Sequence, residues 1–256
     1  TKHALRFIDQ NKARPFCLYV AHEAVHSPFQ GPGSPIERGP KKDRGKKKTP
    51  RETAFVQMMT AMDECVGQVL DKLVELKIAK NTLVIFCSDN GHAFMGGPEG
   101  YRFPLRGRKG SVWEGGHRVP GVAWWPGRIE PGRVSDEMVI SLDLMPTMLD
   151  LAGAKASKGH AFDGVSLRPV LLDGKSLGQR RFFWKGQAMR DGPWKFVAGN
   201  KGGLFNLDDD PGESMNLAKR HPARAKRMAA ALEAWKRDVA NGATPQPDHA
   251  AASRKR

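Results

Sequence analysis

The chain predicts an α/β protein, a mostly parallel sheet flanked by helices, followed by a small C-terminal subdomain of antiparallel strands plus a helix. Three observations carry that reading. Two short apolar runs, residues 16–21 and 83–87, bracket a long amphipathic segment, the order of a strand–helix–strand crossover unit. Polar clusters stand directly after those runs, where ligands gather in parallel sheets. After about residue 155 the composition shifts to aromatic strand pairs and an Ala-rich helix.

Taken in order, Phe16-Cys17-Leu18-Tyr19-Val20-Ala21 reads as a buried strand ending at His22-Glu23-Ala24-Val25-His26-Ser27-Pro28. Residues 27–51 are rich in Pro, Gly and Lys, the composition of a loop, mobile at 38–48. A helix follows, with Thr49 as cap, Pro50 at the first helical position and Glu52 completing a capping box. Phe55, Met59, Met62, Val66, Val69, Leu73 and Leu76 recur in steps of four and three, one stripe facing a core. Lys77 and Lys80 suit the negative end of that helix. Leu83–Cys87 is the second buried strand and stops at Ser88-Asp89-Asn90-Gly91.

Residues 91–118 are Gly-rich without periodicity, the mark of a long functional or disordered loop. Val119–Trp125 reads as a third strand, and 141–152 as a helix with Asp143 near its cap and Gly153 as its stop. Arg181–Trp184 and Trp194–Val197, joined through Arg190-Asp191-Gly192-Pro193, read as a hairpin, with 204–207 as a further strand. Residues 222–240 form a helix and 241–256 a disordered basic tail. The expected organisation is an α/β domain over 1–155, an α+β subdomain over 156–240, and the tail.

The net charge of +15 invites a nucleic-acid partner, but its placement argues otherwise. Residues 37–51 hold eight basic and two acidic groups, and 218–256 hold ten and three, leaving +2 elsewhere. Aromatic residues are not interleaved for base stacking in either segment, so no specific nucleic-acid recognition is expected. No apolar run reaches the roughly 18–20 residues of a membrane span. Thr1-Lys2-His3 opens directly into a mixed segment, so no signal peptide is expected within these residues. Cys17, Cys65 and Cys87 lack metal or redox spacing and read as core thiols.

Three groups carry chemistry. Asp89 and Asn90 offer adjacent oxygen donors of the kind hard dications take, though Asp-Asn-Gly is also an ordinary turn and two residues make an incomplete site. His22 and His26 could face a leaving group or an anion, or be loop histidines. Lys109, between Gly107-Arg108 and Gly110, can place an ammonium against a tetrahedral anion, or belong to a solvated cationic loop. Glu114, beside Trp113 and before two glycines, reads as a structural residue holding that loop by hydrogen bonds.

Together these segments resemble the sulfatase family. The resemblance rests on His26-Ser27-Pro28 and on Val84-Ile85-Phe86-Cys87-Ser88-Asp89-Asn90-Gly91. It continues in Gly107-Arg108-Lys109-Gly110, Glu114-Gly115-Gly116-His117-Arg118-Val119-Pro120 and Trp125-Pro126-Gly127. Ser141–Thr147, Asp163–Leu167, Leu204–Asp208 and Asp210–Glu213 extend it, over roughly residues 14–220. The resemblance implies an alkaline-phosphatase-like α/β fold, incomplete at the N-terminus, and hydrolysis of sulfate esters. By it, Asp89 and Asn90 match two Ca²⁺ ligands, and Lys109 matches the lysine on the substrate sulfate. His26 matches the histidine near the sulfate and leaving oxygen; His22 matches less well, and His92 is a candidate substrate contact.

The family's Cys-x-Pro-x-Arg or Ser-x-Pro-x-Arg, source of the formylglycine nucleophile, has no match here, nor do its paired N-terminal aspartates. The expectation is therefore the C-terminal part of a sulfatase, poorly soluble and inactive as this chain alone. The implied substrates are sulfated carbohydrates or aryl sulfates, and the implied location is periplasmic or secreted. A phosphoester hydrolase of the same superfamily and a non-catalytic polyanion-binding module are the competing readings.

Overall fold

The apolar spacing along residues 55–76 does produce a helix, but with a different start. A computed structural model describes residues 1–34, 49–93, 104–159 and 161–242. The 38–48 segment and residues 243–256 of the basic tail, both subjects of the sequence reading, lie outside the described residues. The chain forms two units, residues 1–84 with 123–131, and 85–122 with 132–256.

In the first unit, α1 spans Lys2–Asn11 and α2 spans Arg51–Glu75. Pro50 caps α2, and Thr49 instead bonds through its hydroxyl to Ser34 Oγ at 3.2 Å. At the other end Lys77 adopts φ 59°, so that Lys77 N reaches Val74 O and Ile78 N reaches Leu73 O. Those two bonds close the helix in the way glycine usually does. Ile8, Leu73 and Ala79 form the buried centre of this unit, with Phe16, Leu18, Val69, Val84 and Trp124 around them. Helix α1, which the sequence reading left unassigned, supplies Ala4 and Ile8 to the interior, one turn apart on one face. The stripe on α2 is only partly covered: Leu73 is 2% exposed, whereas Met59 is 42% exposed.

Residues 16–21 are not a buried strand. They alternate as a strand would, with Phe16 and Leu18 against the apolar cluster and Cys17 and Tyr19 turned outward, Tyr19 87% exposed. No ladder partner engages them among the described residues, and an extended segment without one is not a strand. The thiols are not core groups either: Cys17 and Cys87 are exposed and Cys65 is half-buried. Alternation explains Cys17, which sits at an outward position of its run, whereas Cys87 ends β1 beside Phe86, where both residues are exposed.

The expected mostly parallel sheet is likewise not seen among the described residues. Strands β1 (Val84–Cys87) and β2 (Gly121–Trp124) make a two-stranded sheet, and Phe86 and Val122 are exposed on it. Two strands are too few to build a sheet buried on both faces. The short helix α3 (Glu114–His117) lies between them in sequence.

In the second unit, a 3₁₀ turn at Ser141–Asp143 leads into α4 (Leu144–Leu151), ending at Gly153 with φ 66°, as read from the sequence. Helix α5 (Arg168–Asp173) follows. The predicted hairpin is wrong by one strand. The sheet has four antiparallel strands in sequence order, β3 (Arg181–Trp184), β4 (Ala188–Asp191), β5 (Trp194–Val197) and β6 (Gly203–Asn206). Ala-Met-Arg-Asp lacks the β-branched and aromatic bias of a strand, which hid β4 in the sequence. Lys185 and Gly186, at φ 53° and 62°, make the tight turn from β3 to β4.

Both faces of this sheet are covered. Helix α6 (Pro222–Gly242) lays Met228 and Leu232 on Met189 and Leu204, and Trp235 stacks on Phe183 at 5.1 Å. The opposite face carries Ala188, Val197 and Phe205, packed by Val112 and Trp113 from the loop before α3. Among the described residues, no helix is long and apolar enough to cross a membrane.

Candidate active site

The turn after β1 is held by backbone contacts to the Gly-rich loop. Ser88 Oγ donates to Asn90 O at 2.9 Å, and Gly91 N donates to Gly116 O at 3.0 Å. A Cβ at Gly91 would sit 1.9 Å from Gly115 O, so only glycine permits this approach. One residue on, His92 O accepts from Lys109 N at 2.8 Å. The loop bearing the candidate ammonium is thereby attached to the segment bearing the candidate oxygen donors. Asp89 and Lys109 are exposed, and Asn90 and His92 are half-buried.

Residues 105–118 fold back on themselves around two glycines. Gly115 N donates to Arg106 O at 2.7 Å, and a Cβ on Gly116 would lie 2.2 Å from Ser111 O and 2.8 Å from Arg108 O. Ser111 Oγ donates to Arg108 O at 2.8 Å, tightening the turn around Lys109. Arg106 stacks 3.6 Å over Trp113, whose ring meets Phe205 edge-on at 5.6 Å. From the β3–β4 turn, Lys185 Nζ donates to Gly110 O at 2.6 Å.

Beneath this loop lies a buried ionic cluster that local sequence gave little sign of. Lys195 Nζ stands 2.8 Å from Glu114 Oε1, 2.8 Å from Glu213 Oε1 and 3.2 Å from His117 Nε2. His117 Nε2 lies between this ammonium and the Val112 carbonyl oxygen, which is 3.3 Å away. Lys195 and Glu213 are fully buried and Glu114 is 1% exposed. Glu213 Oε2 accepts from Glu114 N at 2.6 Å. Arg190 lies 3.6 Å from Glu114 Oε2 and brings the second cation to the cluster. Burial, and then the Lys195 ammonium, lower the His117 pKa from 6.5 to about 4, while Trp184 stacks on the ring at 4.1 Å. Burial raises Glu213 above the usual carboxylate value, against the pull of Lys195. Glu114 thus holds its loop as the sequence suggested, but through ion pairs to residues far along the chain. In the sequence Trp194–Val197 read only as one strand of a hairpin, with no sign of a buried ammonium at Lys195.

His26 belongs to the other unit. It is exposed, its Nδ1 donates to Ser27 O at 2.8 Å, and its backbone N donates to Glu23 O at 2.8 Å. Half-buried His22 has a pKa lowered by burial. A cavity of about 550 Å³ in the second unit is lined by Arg133, Glu137, Arg180, Arg190 and Asp208, and none of the candidate residues lines it.

Ca²⁺ takes six to eight oxygens. Asp89 and Asn90 offer part of such a set, and no group of three or more His, Cys, Asp or Glu able to hold a metal occurs among the described residues. Among the described residues, Asp89 and Asn90 therefore do not make a Ca²⁺ site by themselves.

The remaining motifs of the sequence resemblance turn out to be architectural. Asp143 is fully buried and accepts from Ile140 N and Val165 N at 2.9 Å each. Thr147 Oγ1 donates to Asp143 O at 2.6 Å and accepts from Leu167 N at 2.8 Å. These bonds join Ser141–Thr147 to Asp163–Leu167, and Gly164 is needed because a Cβ there would stand 2.1 Å from Leu142 O.

This is the architecture and motif set of a sulfuric ester hydrolase family. A family model named Sulfatase matches residues 1–154, more than half the chain, and the chain belongs to that family. It is 35% identical over 193 residues to N-acetylgalactosamine-6-sulfatase of Mus musculus, covering 74% of this chain and 35% of that protein. Over 246 residues it is 35% identical to arylsulfatase A of Bos taurus, covering 81% of this chain and 45% of the relative. Among solved structures, Ps i-CgsB in complex with k-i-k-neocarrahexaose aligns with TM-score 0.74 and 31% identity, over 91% of this chain and 53% of that one. The PsFucS1 sulfatase from Pseudoalteromonas sp. shares the fold at TM-score 0.68 and 24% identity, over 93% and 52% of the two chains. The chain spans about a third to a half of the length of these relatives.

Proposed function

We propose that the chain carries the sulfate-facing part of a sulfatase active site and acts, in a complete protein of that family, in hydrolysis of sulfate esters. The observation that supports this best is the bond between Lys109 N and His92 O, which ties the loop of the candidate sulfate-binding ammonium to the Asp89-Asn90 turn. In this reading the Lys109 ammonium neutralises charge on the sulfate, and His92 contacts the substrate. His26 protonates the leaving oxygen. Asp89 and Asn90 contribute two of the oxygens around a Ca²⁺. The formylglycine nucleophile has no matching residue here, so the chain alone turns over no sulfate ester.

The substrate class is a sulfated carbohydrate or aryl sulfate, in keeping with the printed names of N-acetylgalactosamine-6-sulfatase and arylsulfatase A. A periplasmic or secreted location belongs to the same proposal.

The test is chemical protection of the 256-residue chain. Acetic anhydride labelling of Lys109, read by mass spectrometry, is expected to slow at least threefold in inorganic sulfate but not in chloride of equal ionic strength. Lys175, 73% exposed, is the internal reference. Equal slowing of both lysines would remove Lys109 from the anion-binding role.

A further inference from the structure

We infer that Lys195, remote in sequence from every candidate site residue, is a positioning residue for the loop that presents Lys109. The inference rests on the reading of Lys109 as the anion-binding group.

The geometry points one way. Lys195 lies centrally in the sheet, in register with Arg190 on β4 and Phe205 on β6. Its two carboxylate partners both come from outside the sheet: Glu114 opens α3, and Glu213 follows the turn at Asp210–Gly212. The two segments are also bonded to each other, by Glu114 N to Glu213 Oε2 at 2.6 Å and by Arg106 Nη1 to Glu213 O at 2.9 Å. The Lys195 ammonium therefore stands between two carboxylates that would otherwise repel each other where the Lys109 loop meets the sheet, while Arg190 and Arg118 face only the Glu114 Oε2 side.

Displacement of Glu114 would propagate over a short path. Gly115 and Gly116 follow it, and the backbone of 105–108 and 111 rests on them too closely for any side chain to intervene. Gly116 O also holds Gly91 N, next to Asn90. A shift of α3 thus reaches both sides of the candidate site, through Arg106–Ser111 and through Gly91.

Amide hydrogen exchange of the 256-residue chain tests this. In Lys195→Met, which keeps the bulk and removes the charge, the amides of Gly91, Lys109 and Gly115 are expected to exchange at least tenfold faster. The β4–β5 ladder amides should change less than threefold, and Lys195→Arg should restore loop protection. Glu114→Gln, which leaves Lys195 paired with Glu213, should loosen the same three amides with the ladder intact. Loop amides that stay protected in Lys195→Met would overturn the inference. So would joint opening of loop and ladder in both Lys195→Met and Glu114→Gln, or failure of Lys195→Arg to restore protection. Absence of sulfate protection at Lys109 in the unaltered chain, with these exchange results intact, would sink the anion-binding reading and leave the positioning role standing.

Discussion

Arg180 grips Asp143 with both terminal nitrogens, at 2.8 and 2.6 Å, and Asp143 has no exposed surface. The pair closes a junction in which Asp143 also accepts the backbone N–H groups of Ile140 and Val165. The guanidinium reaches further, to Met138 O at 2.7 Å. Such bidentate, charge-assisted pairs are the strong members of their class.

Asp143→Ala should therefore lower unfolding stability by about 2–4 kcal/mol, because it leaves a mostly covered guanidinium and two part-buried backbone donors without their acceptor. Denaturant unfolding followed by tryptophan fluorescence measures it. A loss below about 1 kcal/mol would show that the pair is as weak as an exposed one.

The His117 imidazole makes stability depend on acid. Its pKa is about 4 in the folded chain against 6.5 ordinarily, with Lys195, Glu114 and Arg190 as the charges facing it. Below pH 6.5 the unfolded state takes a proton that the folded state refuses. Stability contributed by the neutral ring is thus present above pH 6.5 and lost as pH falls toward 4, by about 2–4 kcal/mol over the window. Glu213 acts with opposite sign. Its raised pKa contributes stability below the ordinary carboxylate value that disappears as pH rises through the folded one. His117→Gln can still accept from Lys195 and cannot titrate, so it isolates the first effect. Its stability curve should be flatter between pH 4 and 6.5, and a curve parallel to that of the unaltered chain would refute the assignment.

Glycines at the site divide sharply by what surrounds them. Gly116→Ala places a methyl group 2.2 Å from Ser111 O, a backbone atom that cannot step aside alone. Trypsin should then cut after Arg108 and Lys109 at least fivefold faster. Gly67, in the middle of α2 with no heavy atom within 4 Å of an added Cβ, should behave in reverse. Gly67→Ala is expected to stabilise by about 0.5–1 kcal/mol through helix propensity. A stabilised Gly116→Ala, or a destabilised Gly67→Ala, would contradict the packing described.

Calcium offers a check on the incomplete donor set. Asp89 and Asn90 together fall short of the six to eight oxygens Ca²⁺ takes. Millimolar Ca²⁺ should raise the melting temperature of this chain by less than about 2 °C, since a ligand far below its Kd stabilises little. A larger rise, abolished by Asp89→Ala, would show that oxygens of this chain complete the site.

Much of the fold was legible in the sequence where the signal is local. Period-four and period-three spacing placed α2, since a buried stripe demands that pattern whatever it packs against, while a cap and a glycine stop marked α4 and an Ala-rich composition marked α6. The order of Asp89-Asn90-Gly91, Lys109 and Glu114-Gly115-Gly116 carried the family. The strand reading of 16–21 failed because a strand is a pairing relation and no residue in the run encodes its partner. Strand β4 was missed for the converse reason, because Ala-Met-Arg-Asp is made a strand by its neighbours on both sides.

The sequence by itself determined helices α2, α4 and α6, the glycine stop at 153, and which family the motifs belong to. Only the tertiary structure decided that Lys195 meets Glu114 across 81 residues, that Glu213 meets Glu114 across 99, and that Arg180 meets Asp143 across 37. The reason is physical. A buried charge persists only with a counter-charge at contact distance, and that partner is chosen by how the backbone returns to the same place.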